Sequence, residues 1–209
     1  MIRVLVVEDH AVVRAGLVRI IDDQPTMKVV GEASTADEVI ALARNSPCSV
    51  MLLDVNLQGR TSLDAMKTLR ISHPHIAILV LSMYPEEQYA FRYIKAGASG
   101  YLTKDSAPEQ LVEAIVRVAS GGRYITAHLA EMAVFSTRGD DAPAHEILSD
   151  REFEVMLGIA RGKRICELAD QLNLSEKTVS TYRTRVLRKT GCSSNADIFE
   201  YSLGQQLLT

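Results

Sequence analysis

The sequence predicts an α/β domain built on a doubly wound, five-stranded parallel sheet, followed by a small all-α domain. Three observations carry this expectation. Short apolar runs alternate with longer amphipathic segments through the first 120 residues, which is the rhythm of βαβ units in series. Three of the runs lack in/out alternation, as strands covered on both faces do. After Gly121-Gly122 the rhythm stops, and from Leu148 onward every periodic segment is helical.

Taken in order, the strand candidates are Ile2–Val7, Lys28–Gly31, Val50–Leu53, Ile76–Leu81 and Gly100–Leu102. Between them lie helix candidates over 12–22, 35–45, 62–72, 86–96 and 108–119. Ser34 is read as the cap of the second helix, Pro85 and Pro108 as openers of the fourth and fifth, and Gly97 as the stop of the fourth. Residues 1–122 form the first domain. Residues 123–146 read as a linker, with a short helix over 128–136 and a polar, mobile joint over 137–144 that holds Gly and Pro. The second domain, 147–209, has helices near 150–161, 164–172, 176–190 and 195–207. Ser149 with Glu152 has capping-box spacing, Ser175 caps the third of these helices, and Gly191 closes it.

Bulk properties exclude some classes. A chain of 209 residues suffices for two cores. No stretch approaches the ~18 consecutive apolar residues of a membrane span. The apolar run at the start is too short for a signal peptide, so a cytosolic protein with no membrane partner is expected. Cys48, Cys166 and Cys192 are odd in number and lack CxxC or Cys/His spacing, which argues against a disulfide framework or a zinc site. The net charge of −3 decides nothing. Lys177, Arg183, Arg185, Arg188 and Lys189 cluster with no acid among residues 177–189, and a polyanion responds to local charge.

Parallel open sheets hold their ligands in the crevice outside the carboxyl ends of the strands. Four of the five strand ends here carry polar groups: Glu8 and Asp9 after the first, Asp54 at the third, Ser82 at the fourth and Lys104 after the fifth. Three gathered carboxylates repel one another unless a cation joins them, and hard oxygen ligands suit Mg²⁺. Asp54 is then the natural nucleophile toward a phosphoryl donor. Glu8 and Asp9 hold Mg²⁺ with the carbonyl of Asn56, Lys104 pairs with the acyl phosphate, and Ser82 supplies a hydrogen-bonding hydroxyl.

In the second domain, the helix ending at Leu172, the Asn173-Leu174 turn and the helix from Ser175 make a helix-turn-helix unit. At 100° per residue, Val179, Tyr182, Val186 and Leu187 form the inward stripe. Lys177, Thr181, Thr184, Arg185 and Arg188 form a basic, hydroxyl-bearing outer face suited to double-stranded DNA.

The motifs VLVVEDH (4–10), MLLDVNLQG (51–59), LVLSM (79–83) and AGASGYLTKD (96–105) resemble those of the receiver domain of response regulators, a flavodoxin-like fold. LSDREFEV (148–155), ADQLNLSEKTV (169–179) and LRKTG (187–191) resemble the LuxR-type output domain. Together they resemble response regulators of the NarL/FixJ type. The resemblance implies phosphorylation of Asp54 by a sensor histidine kinase, with Mg²⁺ at Glu8, Asp9 and Asp54. It also implies a switch in which Ser82 moves toward the phosphate and Tyr101 rotates inward. Transcriptional control and a homodimer on phosphorylation follow, with Ile198, Tyr201 and Leu208 of the last helix as candidate dimer contacts. The chain departs from the pattern at Gln58, where receivers commonly have Pro, and at Ser62, where they commonly have Gly. Ser180 stands among the DNA-facing positions where many relatives have Lys, so base preference does not carry over. Phosphatases of the haloacid dehalogenase type also use a nucleophilic Asp, but they need a second Asp two residues on as general acid. That position is Asn56, which cannot donate a proton in that role, and the chain reads as a phosphoacceptor rather than an enzyme.

Overall fold

The computed structural model describes residues 1–55, 57, 61–84, 86–127, 129, 143–205, 207 and 208. They belong to two compact units, Met1–Ala133 and Val134–Thr209. The helix expected over 128–136, the joint expected up to residue 142 and the Pro85 helix opener lie outside the described residues. Among the described residues, no helix is long and apolar enough to cross a membrane.

The first unit runs β1 (Ile2–Val7), α1 (Ala11–Asp22), β2 (Met27–Ala33), α2 (Ala36–Asn45), β3 (Val50–Asp54), α3 (Ser62–Ser72), β4 (Ala77–Ser82), α4 (Glu86–Lys95), β5 (Gly100–Thr103) and α5 (Pro108–Ala119). All pairings are parallel, in the order β2-β1-β3-β4-β5. The central strand β3 is buried along its whole length, which is why its sequence is a continuous apolar run. Val4, Val6, Val50, Leu52, Leu79 and Leu81 join Ile21 of α1 and Leu111, Ile115 and Val118 of α5 in one core. The alternate residues Leu5, Val7, Met51, Leu53, Ile78 and Val80 are buried as well. They face the other side of the sheet, against which α2 and α4 pack.

Element ends follow local chemistry. Thr35, not Ser34, caps α2: its side chain accepts from the Glu38 N–H, while the Glu38 carboxylate accepts from the Ser34 and Thr35 N–H groups. Only Thr35 has the three-residue spacing to Glu38 that this reciprocal cap requires. Gly97 and Gly191, at φ 105° and 75°, end α4 and the helix Glu176–Thr190 in the left-handed region that glycine enters without cost. The first unit also runs past the expected boundary at residue 122. Tyr124 bridges to Gly100 beside β5, and the Thr126 N–H and hydroxyl donate to Glu86 of α4 at 3.4 and 3.0 Å.

The second unit opens with a 3₁₀ turn, Ala144–Ile147, followed by α6 (Asp150–Ala160), α7 (Ile165–Leu172), α8 (Glu176–Thr190) and α9 (Asn195–Gly204). Asn173 takes φ 52° between α7 and α8, and Ser175 caps α8 by accepting from the Thr178 N–H. The last helix stops at Gly204 and not at 207. Leu207 is buried without being helical. Phe153, Met156, Leu157, Leu168, Val179, Val186 and Ile198 fill the core.

One ion pair ties the start of this unit to the end of α8. The Lys189 ammonium lies 2.6 Å from Oε2 of Glu152, whose side chain is 3 % exposed, and the same carboxylate accepts from the Ser149 N–H at 2.8 Å. Burial pushes the Glu152 pKa up, but the bonds from Lys189 and Ser149 outweigh it and hold the carboxyl below its ordinary value of 4.5. A depressed carboxyl contributes stability that is complete above its unfolded value and lost as pH falls through the folded one. Thermal melts should therefore show this unit weakening below about pH 4.5. Glu152→Gln should cost about 1–3 kcal/mol at pH 7 and flatten the acid limb. A variant with an unchanged acid limb would remove Glu152 from the account.

Candidate functional site

The carboxyl edge of the sheet collects the expected polar groups, and the strand ladder fixes them. Glu8 N–H donates to Ala33 O at 3.0 Å, Val55 N–H to Leu81 O at 3.0 Å and Lys104 N–H to Ser82 O at 2.8 Å. Each functional residue thus sits at a strand end whose backbone is still paired with its neighbour. Glu8, Asp54 and Ser82 are fully buried. The Lys104 ammonium reaches in between the carboxylates, 2.6 Å from Glu8 Oε2 and 3.0 Å from Asp54 Oδ1. Burial draws the Lys104 pKa down, yet its bonds to Glu8 and Asp54 outweigh that and leave it raised. The ammonium therefore stays charged at neutral pH.

His10 belongs to this cluster and was not singled out in the sequence. Its Nδ1 lies 2.7 Å from Asp9 Oδ1 and 3.0 Å from Glu8 Oε1, with the ring mostly exposed. The hydrogen bond to Glu8, followed by the Asp9 charge, raises its pKa. Arg14 was missed too; its Nη1 donates to the Glu8 carbonyl at 2.6 Å and braces the backbone. The only signal for His10 was its place directly after two acids. Arg14, one turn into α1, had none. Ligand atoms of Glu8, Asp9, His10 and Asp54 lie within 4.8 Å of one another. Three carboxylates gathered this closely are an oxygen-rich donor set able to hold a divalent cation. Asn56, the further ligand expected through its carbonyl, lies outside the described residues.

Ser82 and Tyr101 meet at one backbone segment. Ser82 Oγ accepts from the Tyr84 N–H at 3.0 Å, and the Tyr101 hydroxyl donates to the Tyr84 carbonyl at 2.9 Å. The Tyr101 ring is buried, so it lies inward in this structure, and Tyr84 in turn stacks on Tyr89 of α4.

The second unit presents a different surface. Val179 and Val186 of α8 are buried, Tyr182 and Leu187 are half-buried, and Lys177, Ser180, Thr181, Thr184, Arg185 and Arg188 are exposed. The five basic residues of 177–189 do not act alike. Arg183 Nε donates to Asn195 Oδ1 at 2.6 Å and Lys189 pairs with Glu152, so both are held within the unit. Lys177, Arg185 and Arg188 remain on the outer face, with the Arg185 guanidinium over the Tyr182 ring at 5.9 Å. The Thr181 and Thr184 hydroxyls donate to the carbonyls one turn back, Lys177 O and Ser180 O.

The three dimer contacts expected on the last helix occupy different environments in the structure. Ile198 has no exposed surface and belongs to the core of its own unit. The Tyr201 hydroxyl accepts from the His145 N–H at 3.0 Å, which fastens the 3₁₀ turn to α9. Leu208 is half-buried. The exposed large apolar side chains of α9 are Phe199 and Leu203. Apolar spacing along one helix does not distinguish a face turned to the core from one turned to a second copy.

Comparison with known proteins agrees with this geometry. The family model described as "Response regulator receiver domain" matches residues 4–116, and that of "Bacterial regulatory proteins, luxR family" matches residues 146–202. The chain is 36 % identical to the response regulator UvrY of Escherichia coli, over 95 % of this chain and 92 % of that protein. It is 38 % identical to the response regulator GacA of Pseudomonas protegens, over 95 % and 93 %. Among solved structures, RcsB of Salmonella enterica, bound to promoter rprA in the presence of a phosphomimetic, superposes with a TM-score of 0.65 at 22 % identity, over 96 % of this chain and 97 % of that one. The acid–lysine edge of the first unit and the basic helix of the second thus lie within two family matches on one chain, which belongs to the response regulators of the NarL/FixJ type, a receiver joined to a LuxR-type DNA-binding domain.

Proposed function

We propose that this regulator is switched by phosphorylation of Asp54 by a sensor histidine kinase, and that the phosphorylated form dimerises and binds double-stranded DNA. The observation that carries the reading is the Lys104 ammonium between Glu8 and the fully buried Asp54. A carboxylate oxygen of Asp54 attacks the phosphorus, and the O–P bond forms as the P–N bond to the kinase histidine breaks. Lys104 is positioned to neutralise the charge on the transferred group. Glu8, Asp9 and Asp54, with the Asn56 carbonyl, would hold Mg²⁺, which when bound supplies further charge neutralisation. The Ser82 hydroxyl leaves the Tyr84 N–H to bond the phosphoryl group. Because Tyr101 is tied to the same residue through its carbonyl, that move alters the Tyr101 anchor as well. The difference between the two states need be only a few kcal/mol.

Incubation with a small phosphodonor and Mg²⁺ should add one base-labile phosphoryl group to the intact protein and none to Asp54→Asn. Stoichiometric labelling of that variant would refute the assignment. The same pocket makes a stability prediction. Lys104→Met leaves Glu8 and Asp54 buried without their ammonium and should cost about 3–5 kcal/mol. Asp54→Asn relieves like-charge crowding and should cost little or raise the melting temperature.

Dimerisation is read by sedimentation with and without phosphodonor at micromolar protein. The sedimentation coefficient should rise on phosphorylation, and Phe199→Ser with Leu203→Ser should weaken any association made through α9. Identical profiles in both conditions would count against a phosphorylation-driven dimer.

On DNA the outer residues of α8 should divide into two kinds. Arg185→Ala and Arg188→Ala should weaken binding to every duplex and lower the salt slope by about one unit each. Lys177, Thr181 and Thr184, nearer the start of α8, should each cost about 1–3 kcal/mol on the specific site and much less on random DNA when replaced. Isotherms on both duplexes at several salt concentrations decide the matter. A uniform loss across all five substitutions would leave a basic patch without sequence readout.

A further inference from the structure

The Ser62 hydroxyl, at the first residue of α3, lies between two partners. Its Oγ is 2.7 Å from the carbonyl oxygen of Val55, the residue that follows Asp54, and 2.6 Å from the phenolic oxygen of Tyr93 on α4. Both side chains are buried, Ser62 at 1 % and Tyr93 at 4 % exposure. A carbonyl can only accept, so the single Ser62 proton is given to Val55 and the Tyr93 hydroxyl donates to Ser62. The result is a directed chain from Tyr93 O–H through Ser62 O–H to the Val55 carbonyl. On its other side Val55 donates its N–H to Leu81 O of β4 at 3.0 Å. The residue after the acceptor is therefore fastened twice, by the sheet through its N–H and by α3 and α4 through its carbonyl.

We propose that Tyr93 and Ser62 form a positioning pair for phosphoryl transfer at Asp54. They touch neither the donor nor the reacting atoms. They hold the backbone next to the nucleophile, and so fix both how readily Asp54 meets a phosphorus in line and how well the acyl phosphate is kept from water. A sub-ångström misplacement of a reacting group has a large kinetic effect. This inference rests on Asp54 being the phosphoacceptor.

The test uses the full chain with acetyl phosphate and Mg²⁺, following labelling and then, after donor removal, hydrolysis by intact mass. Tyr93→Phe keeps the ring and removes one hydroxyl. Its labelling rate constant should fall, and its hydrolysis rate constant rise, by about three- to tenfold. Ser62→Ala should do the same, and the double variant should be no worse than Ser62→Ala alone, because the pair acts as a unit. A purely structural hydrogen bond would lower the melting temperature while leaving both rate constants unchanged well below it. That outcome, or additive effects in the double variant, overturns the inference. If Ser62→Ala does not fold, Tyr93→Phe decides alone on the two rate constants. Asp54→Asn is the control that separates the levels. Labelling of that variant removes the acceptor assignment itself, whereas an inert Asp54→Asn beside a Tyr93→Phe with wild-type kinetics removes only the positioning role.

Discussion

Glu8, Asp9 and Asp54 bring three carboxylates to one end of an apolar sheet, and two of them have no exposed surface. Burying like charges is costly unless an opposite charge comes with them. The ammonium of Lys104 meets that requirement from the strand on the far side of β4, and it can do so only because β5 ends where its ladder with β4 delivers residue 104 beside Ser82. The remaining charge in the pocket is still negative, with His10 at its solvent side. A site with one fixed cation and surplus carboxylate oxygens is a donor set able to hold a divalent ion. Much of the first unit serves that constraint: strands buried on both faces to hold the edge rigid, and a ladder that runs one residue past β1, β3 and β5, where these side chains gather.

Central strands were legible because burial on both faces leaves an uninterrupted apolar run, as in Val50–Leu53. The edge strand was not fully legible. β2 spans Met27–Ala33 where only 28–31 was expected, since Glu32 interrupts the apolar run and a partly exposed edge strand tolerates it. Its pairing with β1 also shifts register between Val4 and Leu5. The strand-end residues could be named in advance because their polarity contradicts the runs they terminate. His10 and Arg14 could not, because a His and an Arg in the first turn of a surface helix look like ordinary solvated residues until their partners are known. The same difficulty affected α9. An apolar residue such as Ile198 reads the same whether it faces its own core or a second copy, and Leu207 reads as one more helical turn when it is buried outside the helix.

Charge in the second unit obeys a similar division of labour. Counting basic residues over 177–189 overstates what a polyanion would meet, because Arg183 and Lys189 are used to hold α9 and α6 in position. What remains outward is a smaller set with defined geometry. Arg185 is steadied by the Tyr182 ring, and a guanidinium restrained in advance loses less freedom when it is bound. The Thr181 and Thr184 hydroxyls, having given their protons to the helix backbone, are left to accept rather than donate.

Side-chain contacts that α4 makes with other elements give this helix a particular place in the first unit. Through Tyr93 and Ser62 it is bonded to the residue after Asp54, and through Glu86 it is bonded to Thr126, two residues beyond the Tyr124 bridge to β5. The stacked pair Tyr84 and Tyr89 adds a third attachment, to the segment that Ser82 and Tyr101 share. A helix bonded at several points cannot adjust to one without loading the others, because packed interiors repack between discrete arrangements rather than deform smoothly. Under the proposed phosphorylation of Asp54, the added charge would act beside a backbone carbonyl to which α4 is already bonded through Ser62 and Tyr93.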